Sequence, residues 1–161
     1  MYKENIELIS WNNNFSSGFK LIDDQHKKLI DLVNEILKYV SASGKHDYDY
    51  FNKIIQEVVI YTKVHFSTEE KIMLITRFNN FTDHKKEHEN FIHAIIKNTR
   101  DCESGKMNAL SSFTGFLKEW ILSHITMMDN QYFDHFKKIA TYKDDGMMSI
   151  SLDNIPEARC V

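Results

Sequence analysis

The 161-residue chain is expected to be all-α: an antiparallel up-down four-helix bundle with an extended N-terminal arm and a C-terminal tail. Three observations predict this. Glycine occurs 5 times and proline once, too rarely for a strand-rich fold with many tight turns. Four long segments repeat their apolar residues with the helical period. The connections between them are short, so neighbouring helices should run antiparallel.

The elements follow in order. Residues 1–19 are polar with interleaved Trp11, Phe15 and Phe19, and read as an arm packed down by its aromatics. The first helix is expected over about 22–41, with Asp23 or Asp24 as cap and Gly44 just past its end. Its apolar stripe is Leu29, Ile30, Val33, Leu37 and Val40, and His26 extends it. The second helix, about 48–75, has Asp47 or Asp49 as cap and the stripe Phe51, Ile55, Val58, Thr62, His65, Glu69 and Met73 or Ile72. The third, about 82–103, places His84, His88, Phe91, Ile92 and Ile95 on one face, and Gly105 marks its stop. The fourth, about 109–138, carries Phe113, Phe116, Leu117, Trp120, Ile121, His124 and Met128. Residues 1–140 therefore read as one domain. From 141 to 161 the periodicity dissolves, leaving a flap, a linker or a disordered tail.

Composition excludes several classes. Apolar residues make up 42 % and charged residues 27 %, the balance of a soluble globular domain. A net charge of −3 points to neither nucleic acid nor an anionic membrane as partner. Cys102 and Cys160 are too few for a disulfide framework and lack thiolate metal-site spacing; both read as free thiols in a reducing compartment. The start Met1-Tyr2-Lys3-Glu4-Asn5 does not read as a signal peptide, and no apolar run reaches the roughly 18 residues of a membrane span. The expected location is the cytoplasm.

The chemistry lies in an ordered set of polar residues on the inward stripes: His26, His65-x3-Glu69, His84-x3-His88 and His124-x4-Asp129. Polar groups on an apolar stripe are costly unless something satisfies them. Residues four apart on a helix differ by about 40° and roughly 6 Å along the axis, so each such pair presents two groups on one face. Imidazole with carboxylate suits borderline ions such as iron, and the lack of thiolate argues against structural zinc. Glu69 and Asp129 can bridge two ions while five imidazoles take terminal positions. With one bridging oxygen, two octahedral ions are then filled except at a single position, the expected binding site. Asp129 follows His124 by five residues, an offset of about 140° on a regular helix. A bend or a wide π-type turn is predicted there so that both can reach one centre. Glu70 points off the stripe and reads as a neighbour of the ligands; His46, His93 and His135 read as surface residues. Phe66, Trp120, Ile121 and Ile125 are core on any reading, and beside a metal centre they would flank the open position and exclude water.

These strings closely resemble the hemerythrin family, in particular its bacterial members. The resemblance rests on Asp23-Asp24-Gln25-His26-Lys27-Lys28-Leu29, His65-Phe66-Ser67-Thr68-Glu69-Glu70-Lys71-Ile72-Met73, His84-x3-His88 and Trp120-Ile121-Leu122-Ser123-His124-x4-Asp129. It spans about residues 8–138. It implies a non-heme di-iron centre with an oxo or hydroxo bridge that binds dioxygen reversibly. On that resemblance His84, His88 and His124 hold one saturated iron, His26 and His65 hold the other, and Glu69 and Asp129 bridge. Ile121 stands where the family commonly has leucine in its oxygen pocket, a volume-conserving change. The expected role is an oxygen carrier, store or scavenger without catalytic residues. The alternatives are an oxygen- or redox-sensing module signalling through the tail, and an enzyme consuming peroxide or nitric oxide. No protein partner is legible.

Overall fold

The computed structural model describes residues 7–42, 48–106, 108–142 and 148–150, the last strand pair by its backbone. Four helical columns form the bundle: α1 (Lys20–Ser41), α2 (Tyr48–Ile75), α3 (Phe81–Glu103) and a fourth made of α4 (Ala109–Ser123), a π-helical turn (His124–Asp129) and α5 (Asn130–Ile139). α1 packs on α2 and α4, and α3 packs on the same two, so each helix touches its sequence neighbours and the ring closes between first and last. The expected ends of α1, α2 and α3 agree with the structure to within two residues. Gly44, His46, Asp47 and Cys160, read as a helix stop, a surface histidine, a cap and a free thiol, lie outside the described residues.

The caps differ from expectation at two helices: Asp49 lies in the first turn of α2 and does not cap it, and the expected caps of α1 are also inside their helix. α1 starts at Lys20 with Phe19 as N-cap, so Asp23 and Asp24 lie inside the helix. The Asp23 carboxylate instead reaches back and accepts hydrogen bonds from the Ser17 amide at 2.7 Å and from the Ser16 and Ser17 hydroxyls. A first-turn anion tying down the preceding chain suits the positive end of the helix. Gly105 ends α3 as predicted. At φ 70° it occupies the left-handed position, and the amides of Gly105 and Lys106 return to the carbonyls of Cys102 and Asp101. Cys102 is a buried free thiol.

The arm does pack through its aromatics. Phe15 is buried, Trp11 lies 5.8 Å from it, and Phe19 meets Phe136 edge-on. The amide and carbonyl of Ile9 pair with the Asn34 side chain, which anchors the arm to α1. Past α5 the backbone forms two short antiparallel strands, β1 (Ala140–Tyr142) and β2 (Met148–Ile150), with Ala140 opposite Ile150. The sequence reading assigned no strands; so short a pair has too little periodicity to register, although Asp145-Gly146 between them is a hairpin signal.

The core is divided. One apolar cluster, including Leu29, Val33, Phe51, Val58, Phe66, Phe91, Phe113, Leu117, Ile121 and Ile125, fills the bundle towards the α1–α2 connection. A second, of Ile22, Met73, Tyr132, Phe133, Phe136 and Ile139, fills the other end. The buried histidines and carboxylates lie on the helices between the two.

The predicted wide turn is present. His124–Asp129 is π-helical, which brings residues five apart towards one face. Widening a helix weakens its ladder of backbone bonds, and side chains here take up the carbonyls. The Thr126 hydroxyl donates to Leu122 O at 2.7 Å and the Asn130 amide to Thr126 O at 2.6 Å.

Candidate metal centre

All seven predicted ligands converge. His26 comes from α1, His65 and Glu69 from α2, His84 and His88 from α3, and His124 and Asp129 from the two ends of the π turn. None is more than 3 % exposed. Each ring turns Nε2 inward, and the carboxylate oxygens divide the rings between them. Glu69 Oε1 lies 3.8 Å from His26 Nε2 and 3.6 Å from His65 Nε2. Its Oε2 lies 3.8 Å from His84 Nε2 and 3.3 Å from His88 Nε2. Asp129 Oδ2 is 3.2 Å from His26 Nε2, while Oδ1 is 3.3 Å from His84 Nε2 and 3.1 Å from His124 Nε2. Glu69 Oε2 and Asp129 Oδ1 together thus face His84, His88 and His124, two imidazoles each, while Glu69 Oε1 faces His26 and His65 and Asp129 Oδ2 faces His26 alone.

These residues fit a pair of metal ions. Both nitrogens of His26, His84 Nε2, Glu69 Oε2 and both oxygens of Asp129 are buried without a hydrogen-bond partner. Buried polar atoms are rarely left so in a folded protein. Bonds of about 2.1 Å to one ion put neighbouring ligand atoms about 3 Å apart, close to the separations found here. Ligand atoms of Glu69, His84, His88 and His124, and of His26, His65, Glu69 and Asp129, form two overlapping sets, each within 4.8 Å. An all-nitrogen-and-oxygen donor set suits iron.

Further residues orient the rings. His65 Nδ1–H donates to Gln25 Oε1 at 3.0 Å, the Gln25 amide donates to Thr68 Oγ1, and that hydroxyl donates to Val64 O. The chain fixes the amide's orientation, hence the His65 tautomer, and leaves the Nε2 lone pair facing inward. His88 Nδ1–H donates to Glu70 Oε1 at 3.1 Å, with Lys85 Nζ 3.9 Å from the other oxygen. Glu70 is therefore the neighbour the sequence suggested. The Tyr132 hydroxyl donates to Glu69 Oε1. Gln25 and Tyr132 were missed, although Gln25 adjoins His26 and Tyr132 follows Asp129 by three residues on the same stripe.

Electrostatics without metal make the cluster a balanced network. Burial works against charge on His26 and His84, yet the nearby Asp129 and Glu69 carboxylates outweigh it, raising these rings from 6.5 to about 10 and about 9. Burial dominates at His65 and lowers it to about 4. Burial opposes ionisation of Glu69 and Asp129, but the surrounding imidazoles hold both well below the usual carboxylate range. Burial pushes the Tyr132 phenol upward, and Glu69 adds to that. Two imidazoliums then face two carboxylates, where a metal would displace protons.

The predicted pocket residues surround this cluster. Phe66 stacks flat on His88, with centroids 3.6 Å apart, and Trp120 stacks on His124 at 4.2 Å. Phe66, Ile121 and Ile125 are buried, while Trp120 is half-buried against the same cluster. A cleft of about 270 Å³ between α2 and α3 reaches Phe66, Glu70 and His88. His93 is exposed, as expected. His135 is not simply a surface residue: it is half-buried, and its Nε2 donates to Thr76 O at 2.7 Å, satisfying a carbonyl left over at the end of α2.

Residues 17–136 match the family model of the Hemerythrin HHE cation binding domain. The chain belongs to the hemerythrin family. It is 30 % identical over 131 residues to the bacteriohemerythrin of Clostridium acetobutylicum, covering 79 % of this chain and all of that protein. It is 27 % identical over 127 residues to the myohemerythrin of Sipunculus nudus, covering 76 % and 88 %. A wild-type hemerythrin crystal structure superposes with a TM-score of 0.69 at 25 % identity, over 80 % of this chain and 97 % of that one. Among the described residues, no helix is long and apolar enough to cross a membrane.

Proposed function

We propose that this hemerythrin-family protein binds dioxygen reversibly, as a carrier, store or scavenger, at two irons held by His26, His65, Glu69, His84, His88, His124 and Asp129. The observation that carries this reading is the division of the carboxylate oxygens. His84, His88 and His124 with Glu69 Oε2 and Asp129 Oδ1 would hold one ion, and His26 and His65 with Glu69 Oε1 and Asp129 Oδ2 would hold the other. The second ion would then have one protein ligand fewer, which would leave room there for a small molecule. When bound, the iron pair supplies the electrons that dioxygen takes up on binding and returns on release.

The protein's part is to hold, orient and exclude. Gln25 and Glu70 set two imidazoles. Tyr132 holds Glu69. Phe66, Trp120, Ile121 and Ile125 form the apolar wall that keeps water from the free position, and a dry wall without an acid beside it favours release over bond cleavage. The reading therefore supports binding, not turnover.

The test is anaerobic reduction followed by repeated oxygen exposure, with iron content and the visible spectrum followed throughout. Two irons per chain and a charge-transfer band that comes and goes with oxygen are expected. Oxidation in one irreversible step, or steady consumption of peroxide or nitric oxide, would overturn it.

A further inference from the structure

Thr62 lies on the inward stripe of α2, three residues before His65. It is 1 % exposed and its hydroxyl has no hydrogen-bond partner. Mid-helix threonines elsewhere in the protein behave differently. Thr68, Thr99, Thr114 and Thr126 each donate to the carbonyl four residues back, at 2.6–2.9 Å, as does Thr76 just past the end of α2. That bond is the ordinary way for a helical threonine to satisfy itself. Among the described threonines past the first turn of a helix, Thr62 alone forgoes it and leaves its donor in the interior.

The position of this donor gives it a use. On one side the centre is closed by the second apolar cluster, where Tyr132 bonds Glu69 and the Phe133 ring lies 6.1 Å from His26. The other side of the centre faces the first cluster, with Leu29, Phe66, Ile121 and Ile125. Three residues along α2 is a rise of about 4.5 Å, and from His65 to Thr62 that rise runs towards Val58 and Phe51, into this cluster. Thr62 is thus the polar group in an otherwise aliphatic and aromatic wall.

We propose that Thr62 is a specificity-determining residue whose hydroxyl donates a hydrogen bond to the small molecule at the two-histidine position. This rests on the di-iron reading above. A ligand that gains negative charge on binding, such as dioxygen, or that carries it already, such as azide, accepts this bond well; a neutral, weakly accepting diatomic does not. Thr62 thereby selects for accepting ligands without supplying an acid.

The probes are dioxygen on the reduced protein and azide on the oxidised protein, each followed by the visible spectrum for wild type, Thr62→Val and Thr62→Ser. Loss of one hydrogen bond predicts about three- to tenfold weaker binding of both ligands in Thr62→Val, expressed as faster release. Thr62→Ser should stay near wild type, and both variants should keep two irons. The metal-free Thr62→Val protein should melt at or above the wild-type temperature, since valine removes an unpaired polar group at constant shape. Unchanged ligand affinity in Thr62→Val would overturn the proposal, and so would a lowered melting temperature, which would assign the effect to packing. A wild-type protein that takes up no iron would instead overturn the di-iron reading itself.

Discussion

The three-histidine half of the centre carries two flat-stacked aromatic rings, whereas the two-histidine half meets Phe133 and Phe66 only at a tilt, 6.1 Å from His26 and 5.8 Å from His65. Phe66 and Trp120 lie flat on His88 and His124. His26 and His65 meet edge to face at 4.9 Å and have no flat ring over them among the described contacts. Their supports differ too. His88 is backed by the carboxylate Glu70 beside an open cleft, and His65 by the neutral amide Gln25, itself 8 % exposed. A charged support makes an imidazole a stronger donor than a neutral one does, so the proposed saturated position is also the more electron-rich.

The largest effect should come from removing what both halves share. Glu69 touches His26, His65, His84 and His88 through its two oxygens. Glu69→Gln leaves a single neutral acceptor there, and iron content should fall from two per chain to below one. Retention of two irons would show that Glu69 does not bridge.

Exchanging the supports should have the next largest effect. Glu70→Gln weakens the His88 donor, and Gln25→Glu strengthens that of His65. Losing such a partner typically costs about ten- to hundredfold in metal affinity, so Glu70→Gln should loosen the three-histidine position selectively and raise the midpoint potential. Gln25→Glu should lower the potential and speed autoxidation. Shifts of the same sign in both variants would break the asymmetry; competition with a chelator and a redox titration would reveal it.

Proton release should be the smallest effect. His26 and His84, raised to about 10 and about 9, are protonated at pH 7.5 in the metal-free protein, whereas unfolded histidines near 6.5 are not. Their contribution to stability is full below pH 6.5 and is lost as pH rises through about 9 to 10. The depressed carboxylates contribute above the usual carboxylate range and lose that contribution as pH falls. Metal-free stability should therefore peak between these limits. Loading iron at pH 7.5 should release about two protons per chain, one from each half, as measured in weak buffer with an indicator. Release of none would mean that both rings are already neutral.

Much of this was legible in the chain because helical periodicity is local. The spacing His65-x3-Glu69 or His84-x3-His88 decides within one helix which face a side chain takes, and burial of an apolar stripe decides that this face points inward. Even the π turn could be inferred, since His124 and Asp129 cannot share a face five residues apart on a regular helix. The sequence by itself thus determined the bundle, the inward set of histidines and carboxylates and the one place where a helix must widen.

Only the tertiary structure decided which residues complete that set. Gln25 reaches His65 across 40 residues of chain, Tyr132 reaches Glu69 across 63, and His135 caps α2 across 59. The free hydroxyl of Thr62 emerges only when every nearby partner can be seen. Such pairings depend on how far one helix stands from the next and how each is rotated about its axis. No periodicity within a single helix encodes those quantities; the joint packing of all four sets them.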